Sequence, residues 1–301
     1  MTLCKGARPL ILAALLLLVA CAPAPAAPKF LYVSDYNAGS VLRYNAKTGA
    51  FDSAFVPAGS GGLSTARGIA FGPDGHLYAA SSGTGQVLRY DGASGAFRDV
   101  FIEAGAGGLN TPEALLFARD GRLYVTDIGN HSVRRYNRAT GAFVDVFVAP
   151  GSGGLDTPAG LTFGPDRNLY VTSFGTNQVL RYNGSTGAFM NVFVAPGNGL
   201  SGPASLVFGP DKNLYVTSFF GASVLRYDRR TGAFRNAFVP AGSGGLGIAA
   251  NLAFARDKKL YVTSFDTSAV LRYNRKSGAF IGTFVTAGSG GLVNPHTMAF
   301  R

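Results

Sequence analysis

The chain has 301 residues with a formal net charge of +11, 42 glycines and no tryptophan. That length supports a sizeable buried core, and so many glycines suit a sheet protein with many turns. Two cysteines and three histidines leave no disulfide framework, because Cys4 falls in the leader, and too few histidines for a zinc site built from three of them.

Residues 1–21 stand apart from the rest. Lys5 and Arg8 form a positive leader, and Pro9 to Ala20 is an apolar run too short to span a bilayer in the usual way. The tetrapeptide that follows, Leu18-Val19-Ala20-Cys21, resembles the bacterial lipobox, whose cysteine is lipidated after the signal peptide is removed. The resemblance implies a lipid anchor at Cys21. With Ala22 rather than Asp next, it also implies sorting to the outer membrane, facing the periplasm. Residues 22–28 are a Pro/Ala tether with no core-forming pattern, reaching roughly 25 Å from Cys21 when extended. Residues 29–301 read as one domain.

That domain is one unit written six times. Its Leu-Tyr pairs begin at Leu31, Leu77, Leu123, Leu169, Leu214 and Leu260, in steps of 46, 46, 46, 45 and 46 residues. Each copy holds four short β-branched and aromatic runs, as in SLVF, LYVT, VLRY and AFMNVFV of the copy around Leu169. The first two are joined by turns such as Gly72-Pro73-Asp74-Gly75, and the last two by turns such as Asn183 to Gly187. Both are built from residues that accept turn dihedrals, so the runs pair as antiparallel hairpins. A longer loop, as in Ala149 to Pro158, crosses to the next copy. Six such units predict an all-β, six-bladed β-propeller of four-stranded antiparallel blades. The first copy begins at its second strand and the chain stops after a first strand. Pairing the two closes the ring and removes its exposed edges.

Strand direction sorts the loops onto two faces. The lower face, holding the tight turns, carries fifteen basic and seven acidic residues, a surplus of eight. The upper face holds six acids against Arg67 alone. An exported chain meets no nucleic acid, and no aromatic residues interleave the lower charges, so no nucleic-acid partner is expected. The tether leaves from the lower face, where anionic headgroups would attract it. The Arg repeated in every third strand reads as a blade-building residue rather than a ligand group.

Function is sought where copies differ. Four residues after each loop leucine stand Arg67, Glu113, Ala159, Ala204, Ala250 and His296, at the upper mouth of the channel. The polar three lie on consecutive blades. The ends of the second strands divide in the same way, with Asp35-Tyr36, Ser81-Ser82 and Asp127-Ile128 on one half of the ring. Ser173-Phe174, Ser218-Phe219 and Ser264-Phe265 stand on the other. One apolar wall facing a few convergent polar groups is the usual form of a small-molecule pocket. Glu113 and His296 could act as acid and base, and Glu113 with Asp35 or Asp127 could hold Ca²⁺ or Mg²⁺ through oxygen ligands. No GxSxG, HExxH or phosphate-loop pattern is present.

The pattern read across Pro158 to Tyr182 and its siblings, P-x-G-[IL]-x-F-G-P-D-G-x-L-Y-V-T-[DS]-x-G-x-x-x-V-x-R-Y, resembles NHL repeats over residues 30–301. The resemblance implies the six-bladed superfamily that includes streptogramin lyases, gluconolactonases and TolB-like proteins. In the lyases, Glu113 and His296 would be the matching mouth residues, though a second channel histidine is missing here. A gluconolactonase would hold a metal through a Glu, Asn and Asp set, of which Glu113 and Asn251 have counterparts. The expected function is a non-catalytic binding or scaffold lipoprotein whose channel mouth takes a small molecule, glycan or protein partner. The alternative is a divalent-metal-dependent lyase or hydrolase of the streptogramin lyase or gluconolactonase type.

Overall fold

The computed structural model describes residues 27–301; the leader, Cys21 and most of the tether lie outside them. The described chain forms six sheets of four antiparallel strands. In the first blade, β1 (Phe30–Asp35), β2 (Ser40–Asn45) and β3 (Phe51–Val56) run outward in chain order, and β24 (Pro295–Phe300) completes the sheet from the inside. Leu31 pairs with Phe300 and Val33 with Met298, so the last strand closes the ring onto the first. The innermost strands, β4 (Ala66–Phe71), β8 (Pro112–Phe117), β12 (Pro158–Phe163), β16 (Pro203–Phe208), β20 (Ala249–Phe254) and β24, contact one another in a circle around the channel. Among the described residues no helix is long and apolar enough to cross a membrane.

The core is six clusters, one at each blade junction. The residues repeated in every copy build them. The tyrosine of each Leu-Tyr pair lies edge-on between the outer-strand Phe of its own blade and the inner-strand Phe of the next. Tyr32 is 4.9 Å from both Phe55 and Phe71, and Tyr78 is 4.8 Å from both Phe101 and Phe117. Edge-to-face pairs add about 0.5–1.5 kcal/mol each beyond the area they bury. The third-strand arginine covers the same ring, with Arg135 at 4.3 Å from the Phe147 centroid and Arg181 at 5.5 Å from Phe193. In five copies it is also tied to an acidic or amide partner, as Arg135 is to Asp145 at 2.8 Å and Arg181 to Asn191 at 3.0 Å, whereas Arg272 faces Gly282 and its Nε is buried without a hydrogen bond.

Hydroxyl pins hold the junctions from their ends. Below, five of the six first tyrosines, all but Tyr32, donate to a turn aspartate, as Tyr124 does to Asp120 at 2.8 Å. Burial pushes Tyr78, Tyr124, Tyr170 and Tyr215 up to about 12, so these hydroxyls keep their protons at neutral pH. Above, the third-strand tyrosine donates to a carbonyl in the glycine-rich turn that precedes its blade. Tyr90 reaches Ser60 O, Tyr182 reaches Ser152 O and Tyr273 reaches Ser243 O, each at 2.8 Å. The junction between the fourth and fifth blades differs. Its loop is the one shortened by a residue, it forms no 3₁₀ turn, and the Tyr227 hydroxyl is buried without a partner.

This asymmetry is measurable. Tyr182→Phe removes a made hydrogen bond and should lower unfolding stability by about 1 kcal/mol, whereas Tyr227→Phe removes an unsatisfied hydroxyl and should leave stability unchanged or raise it. Denaturant midpoints of the two variants compare the sites directly; equal losses would contradict the geometry.

Candidate functional site

The channel mouth takes its side chains from the upper ends of the inner strands. At the start of each, a register shift separates the Pro or Ala pair from the rest of the ladder, as between Pro112 and Leu115. A Ser or Thr of the second strand fills five of these six gaps. The Thr126 hydroxyl accepts from Ala114 N and donates to Ala159 O of the next blade, both at 2.8 Å. Ser34 does the same between Thr297 N and Arg67 O. Position by position, these pins set the height of the mouth residues.

Arg67, Glu113 and His296 come together on the neighbouring strands β4, β8 and β24. Arg67 Nη1 donates to Glu113 Oε2, and His296 Nε2 lies 3.3 Å from Glu113 Oε1. Arg67 Nη2 donates to the Tyr36 hydroxyl at 3.3 Å, and its guanidinium lies 5.0 Å from the Tyr36 ring centroid. Side-chain exposure is 7% for Glu113, 14% for His296 and 22% for Arg67, so the cluster is recessed but open. Burial lowers the imidazole of His296 below the ordinary histidine range, and Arg67 adds to this while Glu113 opposes it. A neutral ring protonated on Nε2 serves both its contacts, donating to Glu113 and accepting from the Thr297 hydroxyl at 3.3 Å. The Arg67 Nε is buried with no partner.

The other half of the mouth is an arc of rings. Tyr36 stacks on His296 at 5.9 Å, and Phe265 meets Tyr36 edge-on at 5.5 Å. Phe219 lies 6.0 Å from Phe265 and 5.6 Å from Phe174. Phe220 packs on both Phe174 and Phe219 and remains 64% exposed. These rings close over Gly202, whose φ of 60° and absent Cβ leave space that a side chain would take from Phe174 and Phe220. The polar half and the aromatic half therefore border one opening.

Asp35 and Asp127 are elsewhere. Both are fully buried, and their oxygens hold the loops between blades. Asp35 accepts from Ala38 N, Val293 N and Asn294 N, and Asp127 from Asn110 N, Thr111 N, Asn130 Nδ2 and Arg134 Nε. Serines do the same work in the other blades, as Ser218 does for Ser201 N at 2.8 Å. A Ca²⁺ or Mg²⁺ site combining Glu113 with either aspartate does not fit this arrangement. No group of three or more His, Cys, Asp or Glu with metal-holding geometry occurs among the described residues.

Two features of the mouth escape the sequence reading. Phe220 stands one residue beyond Phe219, which that reading selected. Behind the mouth lies a cavity of about 210 Å³ lined by Glu113, His296 and, one layer deeper, Ser205, Asn251 and Thr297. Asn251 Nδ2 donates to Ser205 Oγ at 3.0 Å while its Oδ1 accepts from Met298 N. A larger groove of about 520 Å³ between the second and third blades is lined by small residues such as Ser82, Thr84 and Asn110, with no ionisable side chain. The chemistry is at the mouth.

No protein-family model matches the chain, and no curated protein matches its sequence. Solved structures do match. The chain is similar to a chain of the nidogen/laminin complex at 16% identity, covering 90% of this chain and 97% of that one with a TM-score of 0.71. It is similar to a gluconolactonase from Xanthomonas campestris at 23% identity (78% and 79% covered, TM-score 0.63). Virginiamycin B lyase from Staphylococcus aureus matches at 15% identity (82% and 78% covered, TM-score 0.59). At these identities the likeness is one of fold.

Two outcomes test the geometry. Glu113→Gln leaves the Arg67 guanidinium without a counter-charge and should cost roughly 2 kcal/mol, less than a fully buried pair because Arg67 is part exposed. Because the folded His296 resists protonation, the unfolded chain takes up a proton first as pH falls below the ordinary histidine value. Stability should therefore drop on acidification through that range, and His296→Gln should flatten the slope in denaturant titrations across pH.

Proposed function

We propose that this chain is a non-catalytic binding module, exported and lipid-anchored at Cys21 to the outer membrane, which presents its channel mouth to a small molecule, glycan or protein partner in the periplasm. The anchoring and address rest on the leader and lipobox-like tetrapeptide alone. The binding reading rests on one observation: Glu113 is held by both Arg67 and His296, and both His296 nitrogens already have partners. A general base works best when it is free to reach substrate, and here each Glu113 oxygen already faces Arg67 or His296, while His296 Nδ1 faces Thr297. It offers instead a set of hydrogen-bonding groups whose formal charges cancel, beside an aromatic arc. That combination favours a neutral polar ligand with an apolar face over an ion.

The fold likeness to a gluconolactonase, and the presence of Glu113 and Asn251 on one cavity wall, make a metal-dependent hydrolase or lyase the reading to test against. Thermal scans with Ca²⁺ and Mg²⁺, and metal analysis of purified protein, separate the two. Binding without catalysis predicts no stoichiometric ion and no metal-dependent shift. A ligand found by saturation-transfer NMR should then lose at least about tenfold in affinity in Phe219→Ala and Arg67→Ala. A bound ion lost in Glu113→Ala would replace this reading with the enzymatic one.

A further inference from the structure

The acids of the lower face are engaged within their own turns, while its basic residues outnumber them by eight. Asp74, Asp120, Asp166, Asp211 and Asp257 each accept a tyrosine hydroxyl at 2.7–3.0 Å and an amide of their own turn. Asp91 and Asp228 accept two turn amides each. Where these carboxylates meet a cation, it is a strand residue or a histidine: Arg89, Arg98, Arg181, Arg226, Arg235 or His76.

Those residues are also unevenly placed. Lys212, Arg229, Arg230, Lys258, Lys259, Arg275 and Lys276 all stand in or beside the lower turns of the fifth and sixth blades. Lys29 and Lys47 continue the sector across the closed seam into the first blade. The second blade contributes no Lys or Arg to its lower turns. No turn on this face is longer than six residues. A broad surplus of cations on short turns matches an extended anionic sheet better than the curved, grooved surface of a nucleic-acid duplex.

We propose that the lower face of the fifth and sixth blades docks on a lipid bilayer bearing acidic headgroups, leaving the mouth directed away from it. The inference stands on charge placement and is independent of what the mouth binds. Residues 27–29 lead into β1 from the same face, so an anchor upstream would hold this side against the bilayer.

The test uses residues 27–301, within which all 24 strands and the β1–β24 closure are contained, and co-sedimentation with vesicles of phosphatidylcholine alone or mixed with phosphatidylglycerol. Each basic residue near an acidic surface strengthens partition roughly fivefold. Reversal of Arg229, Arg230, Lys258 and Lys259 to Glu should therefore weaken binding to the acidic vesicles at least about 100-fold. Reversal of Arg119 and Arg122, on the third blade of the same face, should weaken it far less. Unchanged melting temperatures establish that the variants are folded, and Gln replacements serve if the reversals are not. Equal binding to neutral vesicles, equal loss from the third-blade reversal, or tighter binding to duplex DNA than to acidic vesicles would each overturn the proposal.

Discussion

A tyrosine clasped between two phenylalanines is the contact on which this ring depends. A four-stranded blade cannot cover its own faces, and each Leu-Tyr tyrosine carries the cover across, one edge-on contact to its own blade and one to the next. The junction from the sixth blade to the first uses the same clasp: Tyr261 lies 4.9 Å from both Phe284 and Phe300. The seam between the chain's last strand and its first is a different contact, the β1–β24 ladder inside the first blade. Its ladder and its neighbours leave no open edge at the hub.

Because junction chemistry is met by residues present in every copy, the mouth positions are released from it. Three of them are alanine and three are Arg67, Glu113 and His296, and the strand ends opposite supply rings. The resulting opening is polar on one side and aromatic on the other, while the ring around it is close to sixfold symmetric. Its charges compensate within the cluster, which lets two ionic groups persist in a recessed position without an outside counter-ion.

The repeat step, the four strands per copy, the closure and the gathering of Arg67, Glu113 and His296 were all legible in the sequence, because each follows from period and strand direction. The roles of Asp35 and Asp127 were not. A carboxylate at the end of a second strand looks like a rim residue, but the fold places that side chain under the crossing loop, where four other blades use serine to hold the same amides. Depth along the channel was hidden too, since Ser205, Asn251 and Thr297 become neighbours only when the inner strands converge. The one-residue shortening near Gly199 was visible, yet its effect at the Tyr227 hydroxyl, twenty-eight residues away, needed the structure.

His296 sits on β24, which follows every other strand of the ring in the chain, while its partners Arg67 and Glu113 are laid down early. During synthesis the acid and the guanidinium must wait for the final strand before the third member of their cluster arrives. The opening therefore takes its finished shape in the same step that seals the ring. A chain halted before β24 would lack both the seal and the imidazole, so the finished mouth exists only once the whole propeller has been made.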